Sequence, residues 1–79
     1  MKLPRNINGR HLADHLIRHW GYRESRQSGS HILVATDSPM HGAIPIPAHK
    51  PLKVGTLSAI LTIAADQKQV TRGEILLGL

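Results

Sequence analysis

From Asn8 onward, apolar residues return at helical spacing: Leu12, Leu16 and Trp20 recur every fourth position, with Ala13 and Ile17 beside them. That is one core-facing stripe, and Trp20 reads as a core residue within it. Asn8 suits the N-cap, and Gly21 is placed to stop the helix in a left-handed turn. Residues 1–7 read as a loose leader, with Pro4 discouraging helix. The opposite helix face holds His11, His15 and His19 among Arg10, Asp14 and Arg18. Imidazoles four apart can share a metal ion, but no helical carboxylate completes the set, so a solvated polar face and no metal are expected.

After Gly21 the period shortens to two. Residues 22–27 form a short polar strand, Ser28-Gly29 a tight turn, and residues 30–36 a second strand. Alternation puts His31, Leu33 and Ala35 on one face and Ile32, Val34 and Thr36 on the other. Both faces are fairly apolar, which suits helices on one and a partner on the other. Turn residues fill 37–42. A third strand covers 43–47, with Ile44 and Ile46 on one side. Pro45 and Pro47 lack the amide proton and confine this strand to an edge or to its ends.

A basic, proline-containing connection over 48–55 holds His49, Lys50 and Lys53. A second helix starts near Thr56, with Leu57, Ile60, Leu61 and Ala64 as its buried stripe and Ala59 and Ile63 leaving its flanks apolar. Thr71-Arg72-Gly73-Glu74 has the spacing of a capping box before Ile75-Leu76-Leu77. Gly73 costs that last helix about 1 kcal/mol relative to alanine, so packing must hold it. The expected fold is α+β: a three-stranded antiparallel meander with two main helices on one face and a short C-terminal helix.

Composition narrows the function classes. The chain's 79 residues make one small domain. It has no cysteine, which removes disulfides and thiolate zinc sites and fits a reducing cytosol. No run is long and apolar enough for a signal or membrane segment, so a soluble protein with no membrane contact is expected. A formal charge of +5 favours a polyanion or an acidic partner. Trp20 and Tyr22 are the only aromatics, too few for a sheet that stacks bases on several rings.

His31 is the first candidate for chemistry. It follows a glycine turn at a strand end, partly open to solvent, and imidazole titrates near ~6.5. On the same residues, His31 is equally a structural cap of the strand. The five carboxylates, Asp14, Glu24, Asp37, Asp66 and Glu74, are scattered without the clustering a two-magnesium nuclease needs.

The succession of the helix, Gly21-Tyr22-Arg23, Arg26-Gln27, Gly29-Ser30-His31, Ile44-Pro45-Ile46-Pro47 and Leu52-Lys53-Val54-Gly55-Thr56-Leu57 resembles the HicA toxins, over about residues 9–67. These are small bacterial mRNA interferases paired with HicB antitoxins. The resemblance implies a fold similar to a double-stranded RNA-binding domain and ribosome-independent cleavage of mRNA. The histidine of the Gly-Ser-His run is the essential residue, which falls on His31. It also implies a bacterial cytoplasmic protein, oligomeric through a HicB-like antitoxin that covers the His31 region. Two positions depart from the pattern: Ile32 stands where many members have a second histidine, and Val54 where proline is common.

RNA supplies its own 2′-hydroxyl nucleophile, so cleavage needs a base, an acid and positive charge for the transition state. His31 provides one proton-transfer group, as base or as acid. Arg26, Ser30, His49, Lys50 and Lys53 are the candidates to hold RNA phosphate, with the backbone amides near Thr56. His49 and His41 are candidates for the second proton-transfer group. No cofactor is expected, and the products are expected to carry a 2′,3′-cyclic phosphate. The alternative is a non-catalytic basic RNA- or DNA-binding module. A third reading, compatible with the first, is an interaction domain for an acidic partner.

Overall fold

Asn8 has extended backbone, and its side chain accepts the His11 N–H at 2.7 Å, so helix α1 (Gly9–Trp20) starts with a satisfied donor. Gly21, at φ 72°, ends it in the left-handed conformation. Three strands follow, β1 (Arg23–Ser28), β2 (His31–Thr36) and β3 (Gly42–Pro47), then α2 (Val54–Lys68) and α3 (Arg72–Leu76). The computed structural model describes residues 3–48 and 51–79. The sheet is antiparallel in the order β1-β2-β3. The two long helices cover one of its faces, α1 across the strands and α2 along β3. This is the expected α+β arrangement, and the two proline-bearing positions sit on an edge strand.

The apolar stripes predict the core well. Leu12, Leu16, Ile32, Val34, Ile44, Ile46, Leu57, Leu61 and Ile75 are all fully buried. Each such side chain contributes about 1.5–3 kcal/mol relative to leaving it in water. Trp20 departs from expectation: it is only half-buried and packs at the rim. Residues 3–8 have no regular structure, yet Leu3 and Ile7 pack against the core and the Ile7 carbonyl accepts the Leu52 N–H at 2.7 Å. Just after it, a Cβ on Gly9 would lie 1.7 Å from the Pro47 carbonyl oxygen. Only a glycine lets the start of α1 come this close to the end of β3.

His15 corrects the sequence reading. It is 5% exposed, not solvated, and its Nε2–H donates to the Ile75 carbonyl at 2.7 Å. The reason is α3, whose capping box forms between Thr71 and Glu74 and whose Ile75 reaches the core. This last helix packs against α2, and its Ile75 carbonyl and Gly78 reach His15 of α1, which turns a position that helical periodicity assigns to water into an interior one. A buried ring nitrogen then needs a partner, and the Ile75 carbonyl supplies it. His11 and His19 remain exposed, as expected.

Two boundaries also move. The hairpin turn is Gly29-Ser30, with Ser28 paired to His31, one residue later than expected. Gly29 takes φ 57°, so the glycine supplies the turn's left-handed residue. Helix α2 starts at Val54, two residues before Thr56, from an extended Lys53 whose side chain makes no capping bond. It also runs on to Lys68, a second charge beside Asp66.

Candidate nucleic-acid site on the open sheet face

Cα pairing shows which side chains share the face away from the helices. Ile32, Val34 and Thr36 point into the core, so their alternates His31, Leu33 and Ala35 line the open face. Across from them stand Ser28, Arg26 and Arg23 on β1, and Pro47, Pro45 and Ala43 on β3. Simple alternation from buried Tyr22 would have sent Arg26 to the helix side, with Glu24. Instead the register shifts between Glu24 and Arg26, a bulge in which Ser25 has no partner. The bulge moves Arg26 and Ser28 onto the face of His31, as bulges beside functional sites often re-aim a side chain.

His31, Ser28 and Pro47 therefore form one row across the sheet at its hairpin end, and Arg26 lies diagonally from His31, about 7–8 Å away for such neighbours. His31, Arg26, Ser30 and Lys53 are all exposed. None of their side chains forms a hydrogen bond or ion pair among the described residues. Beside Pro47 opens a concavity of 330 Å³, lined by Pro47, Pro51, Leu52, Lys53 and Thr56 at the uncapped start of α2. The free N–H groups of that first turn face no acidic residue of the turn itself. His49 and Lys50, between Pro47 and Pro51, lie outside the described residues.

His41 is not part of this site. It sits in the loop before β3, next to the Gly42–Thr36 pair at the other end of β2. The five steps of β2 from residue 31 to 36 put the two ends of the strand about 17 Å apart at ~3.3 Å per residue, with His31 at one end and His41 beside the other, too far to serve one phosphodiester. There its Nδ1–H donates to Asp37 at 2.7 Å, and Arg23 bonds the other carboxylate oxygen at 2.9 Å. The hydrogen bond from His41, then the charge of Arg23, holds the Asp37 carboxyl below its ordinary 3.8.

Ser28 was missed by sequence reasoning; the two-residue turn would have given it away, since closing the hairpin on Gly29-Ser30 places it opposite His31. Among the described residues no three His, Asp or Glu side chains form a metal-binding group. Asp14 and Glu24 both bond Arg10, and Glu74 caps α3.

Residues 13–65, more than half of the chain, match the HicA toxin of bacterial toxin–antitoxin systems. The chain belongs to the HicA toxin family. The matched span runs from α1 to the last turns of α2 and so contains the whole sheet, the His31 hairpin and the start of α2. Comparison with curated proteins and with solved structures returned no match. As a toxin of such a system, the protein has an antitoxin for a partner. No helix among the described residues of the toxin is long and apolar enough to cross a membrane.

Proposed function

We propose that this toxin is a metal-independent mRNA endoribonuclease of the bacterial cytoplasm that inhibits translation, with His31 as its essential proton-transfer group. The observation that carries the reading is the exposed imidazole of His31, held at the start of a strand on the open sheet face with Ser28 and Arg26 turned to the same side. Family membership supports the same reading.

In this reaction the 2′-oxygen of a ribose attacks the adjacent phosphorus. The bond from phosphorus to the 5′-oxygen breaks, leaving a 2′,3′-cyclic phosphate and a 5′-hydroxyl. His31 either takes the proton from the 2′-hydroxyl or gives one to the departing 5′-oxygen. Arg26 and Lys53 supply charge to the phosphate oxygens as negative charge grows on them, with Ser30 in the turn as a further donor. The amides at the start of α2 add a second, fixed positive region. His49 and Lys50 complete the phosphate-binding set in this reading, and His49 is the candidate for the second proton transfer. A HicB-like antitoxin silences the toxin by covering the His31 region, and the two form the oligomer.

Purified toxin incubated with RNA in EDTA tests this. Expected is cleavage with cyclic-phosphate ends. Cleavage that stops in EDTA and returns with magnesium refutes the metal-independent chemistry, and RNA that is shifted on a gel but intact favours a binding module instead.

A further inference from the structure

The two edges of the sheet differ in what they offer a further strand. A two-residue turn makes Ser28 and His31 a hydrogen-bonded pair, so bonding alternates along β2. The backbone groups of His31 and Leu33 then face β1, and those of Ile32 and Val34 face β3. Pro45 and Pro47, opposite Leu33 and His31, thus turn their donor-less nitrogens outward. The β3 edge is closed.

The β1 edge is open. It has no proline, all six of its residues are exposed, and by the same alternation Gln27 directs both its N–H and its C=O away from β2. Among the described residues, no other element hydrogen-bonds to that side. An unpaired edge is a template for another chain unless something blunts it. Here the bulge interrupts only the half around Ser25, and the half next to His31, from Arg26 to Ser28, is regular.

We propose that an extended strand of the antitoxin adds to the β1 edge along Arg26, Gln27 and Ser28, and carries an acidic side chain to Arg26. The proposal rests on the toxin reading and deepens it by naming where the partner docks. Charge selects the occupant: Arg10 and Arg23 are already paired with carboxylates, whereas Arg26 has no ion pair among the described residues of a chain of charge +5. A second copy of the same cationic chain would set like charge against like. The added strand lies about 4.8 Å beyond β1, hence about 10 Å from β2, within side-chain reach of Ser28 and of the imidazole across from it. Strand addition of this kind takes affinity from main-chain bonds and specificity from alternate side chains.

The test is titration of wild type and Gln27→Pro with the antitoxin, with amide exchange of the wild-type complex read beside it. Proline at an outward-facing position leaves the β1–β2 ladder intact. Gln27→Pro is expected to keep its fold and RNA cleavage but to bind the antitoxin about tenfold more weakly or worse. In the wild-type complex the Gln27 amide is expected to exchange far more slowly than in the free toxin. That exchange result stands even if the proline variant fails to fold. Equal affinity of the two chains, loss of cleavage by a folded Gln27→Pro, or an unprotected Gln27 amide overturns the proposal. No binding by wild type refutes the antitoxin reading beneath it.

Discussion

The two ends of the sheet each carry a histidine, and they treat it in opposite ways. At the far end, polar groups are used up within the molecule. His41 and Arg23 share Asp37. Lys68 donates to the Thr36 hydroxyl and the Ser38 carbonyl, both at 2.7 Å, and lies over the Tyr22 ring. The Tyr22 hydroxyl donates to Gln67, whose amide reaches the Ala43 carbonyl. At the hairpin end, His31, Arg26 and Lys53 are exposed with no such partner among the described residues, beside a helix start without a side-chain cap. A paired network ties a loop down; polar groups left unpaired around a concavity are available to something outside the molecule. The same residue type therefore serves architecture at one end and, in our reading, chemistry at the other.

The sharpest way to break this contrast is to disturb the joint behind the hairpin end. Gly9→Ala drives a Cβ into the Pro47 carbonyl, so α1 must move off β3. A cost of about 3 kcal/mol or more is expected, as a large fall in melting temperature. Next, Arg26→Ala should slow RNA cleavage roughly tenfold to a hundredfold with little change in melting, whereas His41→Ala should leave the rate almost unchanged. Equal losses from both variants would erase the distinction between the ends. Conversely, Lys68→Met should cost about 1–2 kcal/mol of stability, read by thermal melting, while cleavage persists.

The last effect appears only at alkaline pH. Burial pushes the Tyr22 hydroxyl from 10.0 up to about 12, so the folded chain keeps its proton where the unfolded chain has lost it. This contribution to stability is complete below pH 10 and disappears as pH rises to about 12. Tyr22→Phe should flatten the alkaline part of the stability curve. An unchanged curve would show that the hydroxyl titrates alike in both states.

Local signals made much of this fold legible. The stripe of Leu12 and Leu16, the Asn8 and Gly21 caps and the Thr71-to-Glu74 box each act within a few residues, where sequence spacing is geometry. What escaped depends on distant contacts. His15 is interior only because Ile75, sixty positions on, offers it a carbonyl. The placement of Arg26 beside His31 hangs on a bulge at Ser25, a register event that the alternation of polar residues in β1 cannot reveal, since every residue there is exposed. His31 itself was singled out by its turn and by family resemblance, and its neighbours by the hairpin's pairing. His41, a candidate from the sequence for the second proton transfer, is set apart from His31 by the length of β2.

The central claim is that the imidazole of His31 moves a proton during RNA cleavage without holding the fold together. The direct measurement compares wild type with His31→Ala in RNA cleavage and thermal melting side by side. We expect cleavage to fall by a factor of about 10²–10⁴ or to vanish, with an unchanged melting temperature. A His31→Ala protein that cleaves like wild type, or one that loses activity only because it unfolds, contradicts the account.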